Sequence, residues 1–553
     1  LKSAADCYEL AIKTMRQQKA IYGSESAKYY IGDYSHIYIE RAIDIYYQLY
    51  QLKGKEKYLE RIFALMEVSK ASVLKEALQK NKAILLSNIP DSLLRQEKDQ
   101  RLRIAELQKK ISLKQLNLSE QDSLYVKDSV YIEQLTVEMG NEQENYQQFL
   151  QDLKIAYPEF ASTNEKVPAP TIQAIKNRLS DFDGILLEYF TGQSSIYLLA
   201  IDAKGGQLVK IDRSDQLNEA INQLLTYFQS AAAIGQAPDQ YLANAQQLFY
   251  QLFPPGWEVN ADNRQLILIP DGILKYIPFE ALVVGEVGQN YTLSNAPYLL
   301  KDHTITYAYS AALFLFEEVN EEGKMLLKVA PGFLEGERGQ VPLAHSQLEF
   351  SLPGVHELLG AKANLQNFKQ YAGNSKVIHL STHAAANPLT NSAQIELVDT
   401  AMYLPEIYGM NLKTDLVVLS ACESGMGKME KGEGVISLGR AFRYAGASSI
   451  ISSLWKVNEA STATIFTNFY DQLKLGTPKA SALRQAKLNY LEQAGSDLKK
   501  SPFYWSSFVY FGSNDALDLR TSPAYYPWIW MPIVLLVLFL MSRILLRRRQ
   551  ATQ

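Results

Sequence analysis

Two short apolar runs in the last third of the chain constrain its fold most. Residues 376–383 read KVIHLSTH and residues 416–425 read LVVLSACESG. Runs of this length and composition predict buried strands of an α/β sheet. In open parallel sheets, chemistry collects just beyond the carboxyl ends of the strands. His383 and Cys422 each stand where such a strand ends, so they are a candidate base and a candidate nucleophile.

The composition is that of an ordinary globular protein of about two to four domains. Of its 553 residues, 47% are hydrophobic and 21% are charged, and the net charge is −4. This balance gives no electrostatic case for nucleic-acid binding. The two cysteines, Cys7 and Cys422, are too few for a disulfide framework and do not reveal the compartment. Because the first residue is Leu1, we expect a fragment or a processed product.

Residues 1–157 predict an all-α region. Within residues 1–85, a pattern of small, large and small residues recurs at Ala4, Tyr8 and Ala11, at Ser35, Ile39 and Ala42, and at Ala64, Val68 and Ala71. The interval is a little shorter than the tetratricopeptide period of about 34 residues, so we predict degenerate repeats of that kind. A plain helical domain with accidental periodicity is the alternative. Residues 86–157 carry two amphipathic stripes around a polar turn, which predicts an antiparallel helical hairpin.

The hydrophobic period changes after the proline-rich linker. Residues 184–190, 195–201 and 265–269 predict strands, and helical stretches alternate with strands from there on. After His383 we expect a loop at 384–388, and after Cys422 we expect a glycine-rich loop, a helix from about Val435 and a third strand at 449–454. This order predicts neighbouring parallel strands. Residues 158–514 are therefore predicted to form an α/β domain with a mixed, largely parallel sheet flanked by helices.

Several kinds of site compete for the reactive residues. A metal site would use His379 and His383, but four residues of a strand span roughly 13 Å, too far for one ion. A phosphate loop would end at Lys428, but Met429 follows where Ser or Thr is needed. A serine hydrolase would need the pattern G-x-S-x-G, which does not occur. A cysteine nucleophile fits better, because an imidazolium lowers the pKa of a nearby thiol. An inert buried cysteine is the alternative.

The same runs resemble the two core motifs of the CHAT domain. These motifs are VIHLSTH at 377–383 and LVVLSACESGMG at 416–427. Further matching motifs are PDG at 270–272, IPFEAL at 277–282, GEGV at 432–435, AGA at 445–447, SLWKV at 453–457, YW at 504–505, FV at 508–509 and Gly512. The resemblance implies a caspase-like fold, a relation to separases and a Cys/His dyad protease. The family often carries N-terminal tetratricopeptide repeats.

The resemblance also gives individual residues a role. Cys422 would be the nucleophile, and His383 the general base and acid. The oxyanion would bind the N–H of Cys422 and that of the residue after the histidine, which is usually Gly and here is Ala384. Since Ala is disfavoured at positive φ, this difference points to an altered oxyanion hole and reduced activity.

Glu459 is a candidate substrate-binding residue. In separase-like relatives an acidic residue holds a basic side chain of the substrate, and Glu459 would hold Arg or Lys in the same way. The alternative is that Asn458 or Ser461 caps a helix and Glu459 only decorates its first turn. We predict no metal and no cofactor for this site.

The C-terminal apolar stretch at 524–546 predicts a transmembrane helix that follows a polar linker at 515–523. Tyr and Trp residues flank one end, and a basic tail at 547–553 follows the other. The positive-inside rule puts this tail in the cytoplasm and the α/β domain outside. A cytosolic, tail-anchored arrangement is the alternative.

Two functions follow from the sequence. The first is a membrane-anchored cysteine endopeptidase whose helical repeats recruit a protein substrate, partner or activator. The second is a catalytically weak or inactive membrane adaptor that acts through its repeats. The presence of His383 and Cys422 favours the first function, and Ala384 favours the second.

Overall fold

The computed structural model describes residues 1–21, 25–116, 125–163, 169–253, 264–285, 291–316, 323–349, 352, 354–387, 392–421, 424–425, 427–430 and 434–519. Cys422 and the predicted transmembrane helix at 524–546 lie outside these residues. Within the described ranges, no helix is both long enough and apolar enough to cross a membrane.

The chain begins with helices, as predicted. Their apolar residues recur every three or four positions, so that each helix buries one face. In the third helix, for example, this buried face holds Leu59, Ile62, Phe63 and Met66. The helices are α1 (Lys2–Ile21), α2 (Glu25–Lys53), α3 (Glu56–Val68), α4 (Ser72–Leu86), α5 (Asp91–Leu116), α6 (Tyr125–Ala156), α7 (Pro158–Thr163) and α8 (Ile172–Ser180).

Helices α5 and α6 lie side by side in opposite directions. Lys114 near the end of α5 pairs with Asp128 near the start of α6, and Glu97 near the start of α5 accepts a hydrogen bond from Tyr146 further along α6. The two helices therefore form the predicted helical hairpin. The domain boundaries at residues 85 and 157 stay predictions.

Beyond α8 the chain alternates between strands and helices. The strands are β1 (Ile185–Thr191), β2 (Ser195–Ile201), β3 (Gly206–Asp212), β4 (Gln265–Ile269), β5 (Thr304–Tyr307), β6 (Met325–Ala330), β7 (Val355–Leu359), β8 (Ser375–Ser381), β9 (Ala384–Asn387), β10 (Ser392–Glu396), β11 (Ala401–Tyr403), β12 (Leu416–Ser420), β13 (Gly427–Glu430), β14 (Gly434–Ser437), β15 (Ser449–Ser453) and β16 (Phe508–Phe511). The helices are α9 (Asp215–Tyr227), α10 (Ala231–Gln236), α11 (Pro238–Leu252), α12 (Leu299–Asp302), α13 (Ala311–Phe314), α14 (Leu365–Ala372), α15 (Leu404–Tyr408), α16 (Leu438–Tyr444), α17 (Glu459–Lys474), α18 (Lys479–Gln493) and α19 (Pro502–Trp505).

In the described part of the chain, one 11-stranded sheet runs through the α/β region in the order β3-β2-β1-β4-β5-β16-β15-β12-β8-β6-β7. Strands β1, β4, β5 and β16 run parallel to one another, and so do β15, β12, β8, β6 and β7. The two sets meet at β15 and β16, which are antiparallel. The carboxyl ends of the two sets therefore lie at opposite edges of the sheet. The prediction of a mixed, largely parallel sheet flanked by helices is confirmed.

Two local predictions are wrong. Residues 384–387 form strand β9 rather than a loop, because β10 pairs with them and with β11 in a small three-stranded sheet. Val435 lies in β14, where it pairs with Met429 of β13, and not in the helix that follows. That helix, α16, begins only at Leu438, because the Ser437 side chain caps it by accepting the N–H of Arg440 at 3.3 Å.

The N-terminal helices pack directly on one end of the large sheet. Ile39 and Phe63 of these helices share a buried apolar cluster with Phe190 of β1 and Leu199 of β2. Polar contacts reinforce the cluster. Glu67 of α3 accepts the backbone N–H groups at the start of α13, and Lys70 pairs with the buried Glu188 of β1.

Candidate functional site

The candidate site lies at the edge where β8, β12 and β15 end. Strands β8 and β12 are parallel and in register, with Ser381 opposite Ser420, and β12 is parallel to β15. His383 stands two residues beyond Ser381 in the chain, and Cys422 stands two residues beyond Ser420. Cys422 lies outside the described residues, so its pairing with His383 stays a prediction that rests on this register.

The residues that follow Cys422 are bonded to the end of β15. The N–H of Ser453 donates to Ser424 Oγ at 2.9 Å, and the N–H of Gly425 donates to the Ser453 carbonyl at 2.8 Å. A side chain at Gly425 would place its Cβ 2.9 Å from that carbonyl oxygen, which is too close for any residue but glycine. The glycine that ends the LSACESG run therefore ties two strand ends together.

The His383 imidazole is oriented by a backbone carbonyl. Its Nε2 lies 2.6 Å from the carbonyl oxygen of Val341, and its ring packs against that of Phe333 with centroids 5.4 Å apart. A carbonyl oxygen can only accept a hydrogen bond, so Nε2 carries a proton. In the neutral ring, Nδ1 is then the nitrogen that can accept a proton from a nucleophile.

Val341 and Phe333 belong to a segment, residues 331–349, that follows strand β6. Its backbone has two non-glycine residues with positive φ, Phe333 at 50° and Arg338 at 54°. Such conformations are costly and persist where surrounding contacts enforce them. Phe333 is fully buried, and Arg338 pairs with Glu396 and donates to the Leu397 carbonyl at 3.1 Å.

Glu459 contacts the same segment. It is the first residue of α17, and its carboxylate accepts the backbone N–H of His345 at 2.6 Å. The Nδ1 atom of His345 lies 3.6 Å from the other carboxylate oxygen. Asn458 caps the helix by accepting the N–H of Ser461 at 3.1 Å. This agrees with the alternative interpretation, in which Asn458 or Ser461 was expected to cap the helix. Glu459 is therefore bonded into the segment that orients His383.

Comparison with known proteins identifies the domain that carries this site. Residues 242–513 match the family model of the CHAT domain. The chain contains a CHAT domain. The match covers β4 to β16, and so includes the strands that precede His383 and the predicted nucleophile.

Two curated relatives contain a similar stretch. Tetratricopeptide repeat protein 28 of Mus musculus is 23% identical over 317 residues, and its Homo sapiens counterpart is 24% identical over 317 residues. These stretches correspond to 47% of this chain and to 12% of each relative. The chain thus spans about an eighth of the length of the relatives it matches.

Two solved structures are similar in part. The Saccharomyces cerevisiae separase–securin complex is 10% identical, with a TM-score of 0.41, over 74% of this chain and 36% of that chain. The complex of the pro- and mature domains of RgpB from Porphyromonas gingivalis is 13% identical, with a TM-score of 0.33, over 56% of this chain and 78% of that chain.

Ala384, which stands where the resemblance led us to expect a glycine, is not strained here. It is the first residue of β9 and pairs with Ile395 of β10 in an extended conformation. Its φ is not among the positive values found for non-glycine residues in the described ranges. Alanine therefore fits this position without a left-handed backbone, and the predicted conformational reason for reduced activity does not apply to this conformation.

Sequence reasoning missed the segment at 331–349, which holds Val341, His345 and Glu349 against the CHAT domain site. One signal could have identified it. A run at 325–330 that is apolar except for Lys328 precedes Gly332, Gly336 and Gly339, which is typical of a strand that ends in a glycine-rich loop. Because β6 is parallel to β8, that loop begins at the same edge of the sheet as His383.

Proposed function

We propose that this CHAT-domain protein is a cysteine endopeptidase in which Cys422 is the nucleophile and His383 is its base. The observation that carries the proposal is the contact of His383 Nε2 with the Val341 carbonyl. This contact lies beside the ends of strands β8 and β12, which are in register. A third group that orients the base is the arrangement that nucleophilic enzymes require. It supports a dyad with the proton on Nε2 and with Nδ1 open to the thiol.

The proposed reaction has two halves. The Cys422 thiol gives its proton to Nδ1 of His383, and the thiolate attacks the peptide carbonyl carbon. The C–N bond breaks as His383 returns the proton to the leaving amine, which leaves a thioester. Water, deprotonated by His383, then cleaves the thioester and restores the thiol. The N–H groups of Cys422 and Ala384 are the proposed oxyanion donors in both halves.

Covalent labelling tests the nucleophile. A peptide with Arg before an electrophilic ketone is expected to label the wild-type protein and the Cys7→Ala variant, but not the Cys422→Ala variant. Cys7 is an exposed cysteine of α1, so its replacement is a matched control. Equal labelling of the Cys422→Ala variant would contradict the proposal. Failure of every protein to react and to cleave peptides would favour the adaptor function instead.

We further propose that Glu459 selects substrates with Arg or Lys before the cleaved bond. Replacing Glu459 with glutamine keeps an oxygen for the His345 N–H but removes the charge. The ratio of kcat/KM for basic over neutral peptides is expected to fall about tenfold to a hundredfold, as for loss of a charged hydrogen bond. Asp471→Asn, which removes an exposed acid from the same helix, is the matched control. An unchanged preference for basic peptides in Glu459→Gln would contradict this role.

The membrane anchor and the partner are also proposals. The apolar stretch at 524–546 and the arginines that follow it support a single membrane-spanning helix with a cytoplasmic tail and the CHAT domain on the other side. Protease accessibility of the CHAT domain in sealed vesicles distinguishes this orientation from the tail-anchored one. The tetratricopeptide-like pattern of residues 1–85 supports recruitment of a protein partner.

A further inference from the structure

One short stretch of the segment at 331–349 touches His379 of strand β8 and His383, which lies two residues beyond the end of that strand. The carbonyl of Val341 lies 2.6 Å from Nε2 of His383, and a carboxylate oxygen of Glu349 lies 3.0 Å from Nε2 of His379. The two histidines that were considered as metal ligands, His379 and His383, thus contact this stretch instead. Their imidazoles hold residues 341–349 at both ends.

The contact between Glu349 and His379 is buried, and the positions of its protons follow from the neighbouring groups. His379 is 0% exposed, Glu349 is 3% exposed, and Tyr470 of α17 places its hydroxyl 2.8 Å from Nδ1 of His379. The Glu349 carboxylate accepts from Nε2, so Nδ1 is the acceptor for the Tyr470 hydroxyl. Burial lowers the pKa of His379 against the opposing effect of Glu349, which fits a neutral ring. All three groups are therefore matched as donors and acceptors.

The stretch between the two contacts is folded into consecutive turns. The N–H of Leu348 donates to the His345 carbonyl at 2.9 Å, and the buried Ser346 hydroxyl donates to the Leu343 carbonyl at 2.8 Å. Outside contacts hold the same turns, since Lys328 donates to the carbonyl of Gln347. Hydrogen-bonded turns therefore connect the Glu349 contact to the Val341 contact.

We propose that Glu349 and His379 are positioning residues for His383: they fix residues 341–349, and thereby the Val341 carbonyl that orients the catalytic imidazole. This inference rests on the proposed Cys/His dyad. It assigns a function to a buried carboxylate–imidazole–phenol chain that does not take part in the chemistry. The two histidines of VIHLSTH would then have separate roles, one in the reaction and one in placing the base.

Two substitutions of Glu349 distinguish the effect of its charge from that of its hydrogen bond to His379. Glu349→Leu removes the anchor, and kcat is expected to fall about a hundredfold with little change in KM, as for a misplacement of the base by about 1 Å. Glu349→Gln retains an oxygen for the His379 N–H, so most of the activity is expected to return. A purely structural role would instead lower the folded fraction and leave the activity per folded molecule unchanged.

The double variant Glu349→Leu/His379→Phe removes both buried polar groups together. The pair of substitutions avoids a buried imidazole N–H without its acceptor, so this protein is expected to be more stable in urea than Glu349→Leu, with the Tyr470 hydroxyl losing only its imidazole acceptor. Its second readout does not depend on turnover. In a Cys7→Ala background, the rate of Cys422 alkylation by iodoacetamide is measured against pH, with His383→Ala as the reference for a dyad without its base.

Three outcomes are distinguishable. A stable double variant whose alkylation profile shifts toward that of His383→Ala supports the inference. A stable double variant with the wild-type profile and wild-type kcat overturns it, while leaving the dyad in place. If His383→Ala itself leaves the alkylation profile unchanged, the proposed dyad fails, and the inference fails with it.

Discussion

Replacing His383 with alanine is expected to reduce kcat for a basic peptide by about a hundredfold to ten-thousandfold, the range that general acid–base catalysis contributes. The variant loses the group that accepts the thiol proton and returns it to the leaving amine. It also loses the contact of Nε2 with the Val341 carbonyl, but the other contacts of the segment at 331–349 stay. We therefore expect the folded structure to persist.

His356→Ala is the matched control for this prediction. His356 lies on the outermost strand, β7, where its ring packs on that of Tyr371 at 4.1 Å between centroids. Its loss is expected to leave kcat unchanged. Turnover is measured with a fluorogenic peptide that carries Arg before the cleaved bond, and folding is checked by circular dichroism. If His383→Ala cleaves as fast as His356→Ala, His383 is not the base.

Replacing Lys70 with methionine is expected to lower the free energy of unfolding by about 3 kcal/mol under alkaline conditions, because a buried carboxylate loses its partner. Lys70 and Glu188 are 3% and 0% exposed, and they join the N-terminal helices to strand β1. Methionine keeps most of the side-chain volume. The loss is therefore electrostatic rather than a packing defect.

The same prediction has a pH dependence with a definite sign. Burial raises the pKa of Glu188 from 4.5 to about 8. The stability linked to its protonation is fully present below about pH 4.5 and is lost as the pH rises through 8. The cost of Lys70→Met is accordingly expected to be larger at about pH 9, where the carboxylate is ionised, than at about pH 6, where it is protonated.

Urea unfolding at the two pH values measures this effect. Lys55→Met, which removes an exposed lysine just before α3, is the control and is expected to change little. The double variant Lys70→Met/Glu188→Leu is expected to recover most of the stability, since an apolar pair replaces the buried ions. A cost that is equal at both pH values, or a double variant no better than the single one, would contradict this account.

The sequence predicts the strands that carry the site well, because a parallel strand that is buried on both faces requires a continuous run of apolar residues. Both faces of β8 and β12 are covered, so the strands appear as continuous apolar runs with sharp polar ends. The positions of His383 and Cys422 after those runs could be read directly. The adjacency of their strands followed from the crossover rule, and the register of Ser381 with Ser420 agrees with it.

Other features depend on contacts between distant parts of the chain and leave no local pattern. Val341 meets His383 across 42 residues, and His345 meets Glu459 across 114. The residues around Val341 are in neither a helix nor a strand, so no period marks them. Likewise, the reversal of strand direction at β15 and β16 depends on which strands become neighbours, and each strand reads the same in either direction.

The opposite edge of the sheet shows what the N-terminal helices do for the domain. There the chain leaves β1 and β5, and Glu40 accepts the N–H of Gln193 at 2.7 Å, while Glu67 accepts that of Ala311 at 2.7 Å. Two buried carboxylates thus satisfy backbone N–H groups just beyond the strand ends, so the N-terminal helices complete the hydrogen bonding of the α/β domain. Removing the helices would take away these acceptors and expose the apolar cluster that they share with β1 and β2, so we expect the α/β domain to be unstable without them.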